Sequence, residues 1–369
     1  MKIFRLLISV LFLVFFQQGF ADSTLFHIHP HMPAEQSMPE DAQAVWDEYA
    51  FNTVATRTLQ DGCEPIQTRP PSGVAYRGVI ILLHGFTSCP KQYNAMAAEL
   101  SQLGYHVLVP LLPGHGGLAD NELDAQTFLP RTGNWFNYDA FARWINKLAG
   151  SVSHGEVHIG GLCLGGTVAM RALQLAPHLY KSSVLFSPFF EVSARLLGRI
   201  GRLLGRVTDV LNIRNGFELP IALQDEEVCE GIERNQLGRA GYCRTRLTNL
   251  IAVARFAHFV KTNTKPLSVP VQTMIVANDP VAHPKVTLSL VEAHLTLGPT
   301  RNSVCVMNES ASHSFFSTTD LPMPKAWLPQ LHLQLGRFFQ KSEYLQSGAP
   351  SNYSWAQAGR PVSSCALWP

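Results

Sequence analysis

Short runs of apolar, β-branched residues recur along the chain, with helical patterns between them. Gly78-Val79-Ile80-Ile81-Leu82-Leu83 contains no charged or amide position, the pattern of a strand buried on both faces. A helical pattern follows from Tyr93 to Leu103. Tyr105-His106-Val107-Leu108-Val109-Pro110 reads as a second strand, Tyr138 to Ala149 as a helix, Glu156-Val157-His158-Ile159-Gly160 as a strand and Gly165 to Leu175 as a helix. The series resumes at Ser183-Val184-Leu185-Phe186, Val271 to Ala277 and Ser303-Val304-Cys305-Val306-Met307, and closes with a helix from Leu328 to Phe339. Strands alternating with helices predict an α/β protein with a doubly wound, mostly parallel sheet.

Between Phe189 and Lys265 the alternation stops, and the segment reads as several helices set over the sheet, a helical cap insertion. Its first part spaces Arg195, Arg199, Arg202 and Arg206 opposite Leu196, Leu197, Ile200, Leu203, Leu204 and Val207, a basic amphipathic pattern. Two readings stay open for it: contact with a membrane surface, or a cap helix with its Leu face on the active site and its arginines in solvent. Gly198, Gly201 and Gly205 weaken an isolated helix and favour the second.

The N-terminus changes the compartment. Lys2 and Arg5 precede an apolar run from Leu6 to Phe16, and Gly19-Phe20-Ala21 sets small residues before Asp22, which reads as a secretory signal peptide over 1–21. Eleven residues fall short of the roughly 20 needed to span a bilayer. The expected location is periplasmic or extracellular. The chain carries 29 Lys and Arg against 27 Asp and Glu, and removing Lys2 and Arg5 leaves 27 of each. A neutral mature chain argues against general nucleic-acid binding, which draws on phosphate neutralisation. In the arm that follows, His27, His29 and His31 alternate without acidic or cysteine partners and read as a solvated tail. An oxidising compartment also bears on the seven cysteines, since an odd number leaves at least one thiol unpaired within a monomer.

Gly161-Leu162-Cys163-Leu164-Gly165 follows one predicted strand and opens an apolar helix. This is G-x-nucleophile-x-G in a strand–turn–helix setting. The glycines are required where strand and helix backbones crowd, and the helix N-terminus favours the thiolate, the form of cysteine that attacks. If Cys163 is the free thiol, six cysteines remain for three disulfides. Cys229 with Cys243, Cys63 with Cys89 and Cys305 with Cys365 are conceivable pairs among 15 possible connectivities. Another arrangement has Cys89 reach Cys163 and silence it by oxidation.

With these pieces the chain resembles the α/β-hydrolase superfamily from about Val79 to Phe339, nearest in pattern to its monoacylglycerol lipase and carboxylesterase-like branch. The matching residues are Leu83-His84-Gly85-Phe86-Thr87, Pro110-Leu111-Leu112-Pro113-Gly114-His115-Gly116, the turn at Cys163, Asn278-Asp279-Pro280-Val281 and Ser312-His313. The resemblance implies a triad of Cys163, Asp279 and His313, in the chain order nucleophile, acid, base. It implies an oxyanion hole from the backbone N–H groups of Phe86 and Leu164, with His84 bracing that loop. Most of the superfamily has Ser where this chain has Cys163, so hydrolysis and acyl transfer both stay open.

The reading at this level is residues 1–21 signal peptide, 22–75 N-terminal arm, 76–188 first part of an α/β-hydrolase core, 189–265 helical cap, 266–345 second part of the core and 346–369 tail. The expected activity is cleavage of carboxylic esters of lipid-like or other apolar acyl groups through an S-acyl enzyme. An acyltransferase or thioesterase on the same triad, or a catalytically silent binding protein, are the alternatives. No metal, nucleotide or other cofactor is expected, and no nucleic-acid partner; membrane-surface contact through the cap helix stays open.

Overall fold

The Gly78–Leu83 run, buried at every position, is an interior strand, third from one edge of a nine-strand sheet. In this computed structural model the described residues are 37–119, 122–193, 220–222, 241–242, 244–263, 265–295, 303–307, 313–314, 316, 328–341, 347–350 and 363–365. The signal segment, the basic stretch 195–207 and the Cys229 and Cys243 pairing lie outside them. All that follows concerns the unit Met38–Pro369.

Along the chain come helix α1 (Glu40–Ala55), strands β1 (Ile66–Thr68) and β2 (Gly78–Leu83), α2 (Asn94–Ser101), β3 (Tyr105–Val109), α3 (Glu122–Ala125), α4 (Asn137–Gly150), β4 (Glu156–Leu162), α5 (Leu164–Leu175) and β5 (Ser182–Phe186). There follow β6 (Pro220–Ala222), β7 (Arg244–Arg246), α6 (Leu247–Thr262), β8 (Val271–Val276), α7 (Pro284–Leu295), β9 (Ser303–Met307), α8 (Leu328–Lys341), β10 (Ser347–Pro350) and β11 (Ser363–Cys365). The sheet order is β1-β3-β2-β4-β5-β8-β9-β11-β10. Every pairing from β3 to β11 is parallel, and only the two edge strands, β1 on β3 and β10 on β11, run antiparallel. From β2 the chain steps outward to β3, then returns to the other side of β2 as β4. The order reverses there, and at such a switch point open parallel sheets hold their ligands beyond the carboxyl ends of the strands.

The strands form where the apolar runs predicted them, because a strand covered on both faces needs no polar alternation. The edges differ. β1 lies within the expected arm, and β10 and β11 within the expected tail; each is three or four residues long and adds an edge by backbone pairing, which leaves little hydrophobic pattern to read. The cap region also departs from an all-helical reading: β6 and β7 pair as a small antiparallel sheet before the 16-residue α6.

Helix α5 is buried continuously from Leu164 to Gln174, including the charged Arg171. That cation is neutralised inside the fold. Its Nε donates to Asp139 Oδ1 of α4 at 2.6 Å, and its guanidinium lies 4.7 Å from the Phe259 ring of α6. Gln174 Nε2 donates to the Val260 carbonyl at 3.0 Å, so α4, α5 and α6 are joined by polar contacts under apolar cover. Removing one partner of a buried pair strands the other charge. Asp139→Ala is therefore expected to cost about 3 kcal/mol, read as a lower midpoint in urea unfolding.

Candidate active site

Cys163 stands in the turn between β4 and α5 with φ 54° and ψ −118°, a left-handed conformation that a residue with a Cβ adopts only when its surroundings impose it. The surroundings do so from both sides. Its N–H donates to the Phe186 carbonyl at 3.0 Å, and its carbonyl accepts from the Thr167 and Phe189 amides, each at 3.1 Å. The flanking glycines have a measurable reason. A Cβ on Gly161 would sit 2.3 Å from the Gly165 carbonyl carbon, and one on Gly165 only 2.0 Å from the Leu83 carbonyl oxygen. The turn thus passes against both the helix that follows and the end of the neighbouring strand β2, which leaves Cys163 at the head of α5, 5% exposed, as a free thiol.

The acid loop begins where β8 ends. Asp279 is 5% exposed and fully engaged: Oδ1 accepts the Val281 and Ala282 amides at 2.8 and 3.0 Å, and Oδ2 accepts from His313 Nδ1 at 2.7 Å. The donor at Nδ1 settles the ring orientation and turns Nε2 away from the carboxylate. Burial alone would push the His313 pKa down. The Asp279 carboxylate and the Cys163 sulfur outweigh it and hold the imidazole well above its usual value. Nε2 is buried and makes no aligned hydrogen bond among the described residues, yet the Cys163 side chain lies close enough to it to help raise the pKa of the ring. Such hydrogen bonds often tighten only when a substrate binds. Three residues after His313, Phe316 stacks on Tyr93 with ring centroids 4.8 Å apart and meets Phe186 at 4.6 Å, which anchors the histidine segment to the wall beside Cys163.

Facing the thiol is the loop after β2. The Gly85 N–H donates to Gln92 Oε1 at 3.0 Å, the Ser88 N–H to the Gly85 carbonyl at 3.2 Å, and Thr87 takes a left-handed φ of 64°. Among the described residues neither the Phe86 amide nor the Leu164 amide has an acceptor; the second is the first N–H of α5, which no helix can satisfy internally. Under the loop, His84 Nδ1–H donates to the Gly85 carbonyl and Nε2 accepts the Leu112 amide, both at 2.9 Å. Burial pushes its pKa down to about 3, so it is a neutral brace with one fixed tautomer. His115, held well below its usual pKa by burial and the nearby His84, donates Nδ1–H to the Pro113 carbonyl and packs its ring edge against Phe86. Two neutral imidazoles under an amide loop carry no charge that would compete with His313.

Cys63 forms a disulfide with Cys89, one of the pairs conceived from the sequence, so Cys89 is not a cap on Cys163. Cys305 is disulfide-bonded as well, while the side chain of its conceived partner Cys365 lies outside the described residues. The segment carrying Cys63 continues the clamp: Gln60 pairs with the Gly116, Gly117 and Gly241 backbones, and the Tyr242 amide donates to the Thr87 carbonyl at 2.7 Å. On the acid side, Ser193 N–H donates to the Val281 carbonyl at 2.8 Å and Ser193 Oγ to that of Pro280, so the chain leaving β5 clasps the loop of Asp279. These partners lie from 26 to 181 positions apart, and no local signal marks them.

A doubly wound sheet with a left-handed strand–turn–helix nucleophile position, an Asp after a late strand and a His after the last is an α/β-hydrolase. The chain belongs to the hydrolase family described as serine aminopeptidase, S33, whose profile matches residues 75–316. Among solved structures it is similar to one of the metagenome-derived lipolytic enzymes LipS and LipT (18% identity, 77% of this chain and 100% of that one, TM-score 0.54). It is also similar to the monoacylglycerol lipase of Paleococcus ferrophilus (16%, 76% and 98%, 0.53) and to a soluble variant of monoglyceride lipase from Saccharomyces cerevisiae (14%, 77% and 94%, 0.54). At such identities the likeness is one of fold.

The disulfide ties positions 26 residues apart, and opening it frees both the segment carrying Cys63 and the loop of Phe86. Cys63→Ser with Cys89→Ser is expected to lower stability by about 3 kcal/mol, measured as a fall in melting temperature against the parent protein.

Proposed function

We propose that this protein is a cysteine-dependent hydrolase of carboxylic esters with lipid-like or other apolar acyl groups. The observation that carries the reading is Cys163 in its left-handed turn at the head of α5, with His313 bonded to Asp279 at 2.7 Å and acting on the sulfur through its other side.

In this mechanism the Cys163 sulfur attacks the ester carbonyl, and the oxygen that gains negative charge meets the Phe86 and Leu164 amides. The new C–S bond is retained as the C–O bond to the alcohol breaks, and the His313 Nε2 proton goes to the departing alkoxide. Water then attacks the thioester while His313 takes its proton; the C–S bond breaks, releasing the carboxylic acid and restoring the thiol. Asp279 stabilises each cationic state of the imidazole without itself taking the proton. The half-buried Phe86 on the loop facing Cys163 suits an apolar acyl group. We further propose that residues 1–21 direct the chain to a periplasmic or extracellular space, a reading supported by its disulfides.

The test is turnover of p-nitrophenyl esters from acetyl to dodecanoyl by the mature protein, Cys163→Ala and Cys163→Ser, with intact mass taken after acid quench. The expected result is a loss of about a thousandfold or more in Cys163→Ala, block by iodoacetamide, and an added acyl mass on the wild type only. Equal turnover by wild type and Cys163→Ala would overturn the reading. Faster turnover of aminoacyl 4-nitroanilides than of any ester would transfer it to amide substrates.

A second expectation concerns pH. Because the charge of Asp279 raises the His313 pKa, the imidazolium persists below that raised value and is lost as pH climbs through it. Asp279→Asn removes the main attraction, so the alkaline limb of kcat/KM moves to lower pH and Cys163 alkylation at neutral pH slows. A limb that stays in place in Asp279→Asn would remove His313 from the role.

A further inference from the structure

A second concave site lies away from Cys163. The C-terminal half of α1, the middle of α4 and the Leu111 to Gly114 loop enclose a cleft of about 500 Å³, and none of Cys163, Asp279 or His313 lines it. One wall is aromatic: Tyr49 and Trp144 stack with centroids 4.1 Å apart, and Phe141 stacks on Trp144 at 5.3 Å. The other charged and polar positions hold two cations, Arg57 and Lys147, against the one carboxylate of Glu48.

Arg57 is the unusual member. It is half-buried, forms no hydrogen bond or ion pair among the described residues, and its Nε is shut off from solvent without an acceptor. Burial pulls its pKa down, as expected for a cation whose desolvation is uncompensated; the nearby Tyr242 and Tyr49 oppose that only in part. The end of α1 contributes partial negative charge, but a guanidinium is matched by a planar anion that can take two N–H donors at once. A stacked aromatic wall beside it is matched by a flat apolar body.

We propose that this cleft is a binding site for a small amphiphilic carboxylate, its anion on Arg57 with Lys147 nearby, and its aromatic or short aliphatic body against Trp144 and Tyr49. The site stands independently of the chemistry assigned to Cys163. Its floor is the segment whose Leu112 amide and Pro113 carbonyl hold His84 and His115 under the Phe86 loop.

The experiment is calorimetric titration of the full mature chain carrying Cys163→Ala with 4-phenylbutyrate and with its neutral amide, repeated on the same chain with Arg57→Gln or Lys147→Gln added. The expected result is carboxylate binding with Kd at or below about 1 mM, the amide about tenfold weaker, Arg57→Gln about tenfold weaker and Lys147→Gln a few-fold weaker. No heat from the carboxylate at several times that concentration overturns the proposal. So does equal binding of acid and amide, a comparison that needs no variant at Arg57. Unchanged carboxylate affinity in a folded Arg57→Gln chain also overturns it, and would place the binding elsewhere, the Cys163 crevice included.

Discussion

The whole site rests on one close approach of backbones. At Gly161 and Gly165 the β4–α5 turn runs so near the start of its own helix and the end of β2 that a single added carbon would fall within 2.3 Å of backbone atoms. This contact presses α5 onto the sheet, which is why that helix is buried over eleven consecutive residues and why its one charge needs Asp139. It also forces Cys163 into a left-handed conformation and leaves its thiol at the junction of a strand end and a helix start. Relaxing the approach would disturb the core, the turn and the thiol together.

From that fixed point the other groups are brought in by loops that do not hold themselves. The loop of Phe86 is pinned from below by His84 and His115, from the side by Gln92, and from beyond by the Cys63–Cys89 disulfide and the Tyr242 amide. The loop of Asp279 is pinned by its own two amides and by Ser193 from the chain leaving β5. The electrostatics divide the three nearby imidazoles by burial and neighbours. His84 and His115 are buried without an anion and stay neutral, whereas His313 is buried with one and is driven the other way. Of these three imidazoles His313 alone has its pKa raised.

Much of this was legible in the residues. β2 and β9 occupy the predicted spans, and α4, α5, α8 and the other core strands differ from theirs by one or two positions, because their patterns follow from local burial periodicity. Cys163 could be singled out because it stands directly after β4, in a turn whose glycines have a steric reason, and Asp279 and His313 were indicated by the family resemblance, in the segments that follow β8 and β9. The neighbouring strands β1, β10 and β11 could not: their membership in the sheet is a matter of backbone pairing with distant partners, which side-chain pattern does not encode. The same holds for β6 and β7, where Arg-Thr-Arg and Pro-Ile-Ala carry no signal for pairing across more than twenty intervening residues.

The sequence by itself determined the parallel α/β core and the glycine-flanked turn of Cys163, since both depend on local sterics and on the two hydrophobic periods of strand and helix; Asp279 and His313 were indicated by the family resemblance. Only the tertiary structure decided that Asp279 meets Nδ1 of His313, that Cys89 is spoken for by Cys63, and that Arg57 is left half-buried beside an aromatic cleft without a partner among the described residues. Those outcomes come from side chains far apart in the chain competing for the same few ångströms and the same few charges, a competition settled only once the chain has folded.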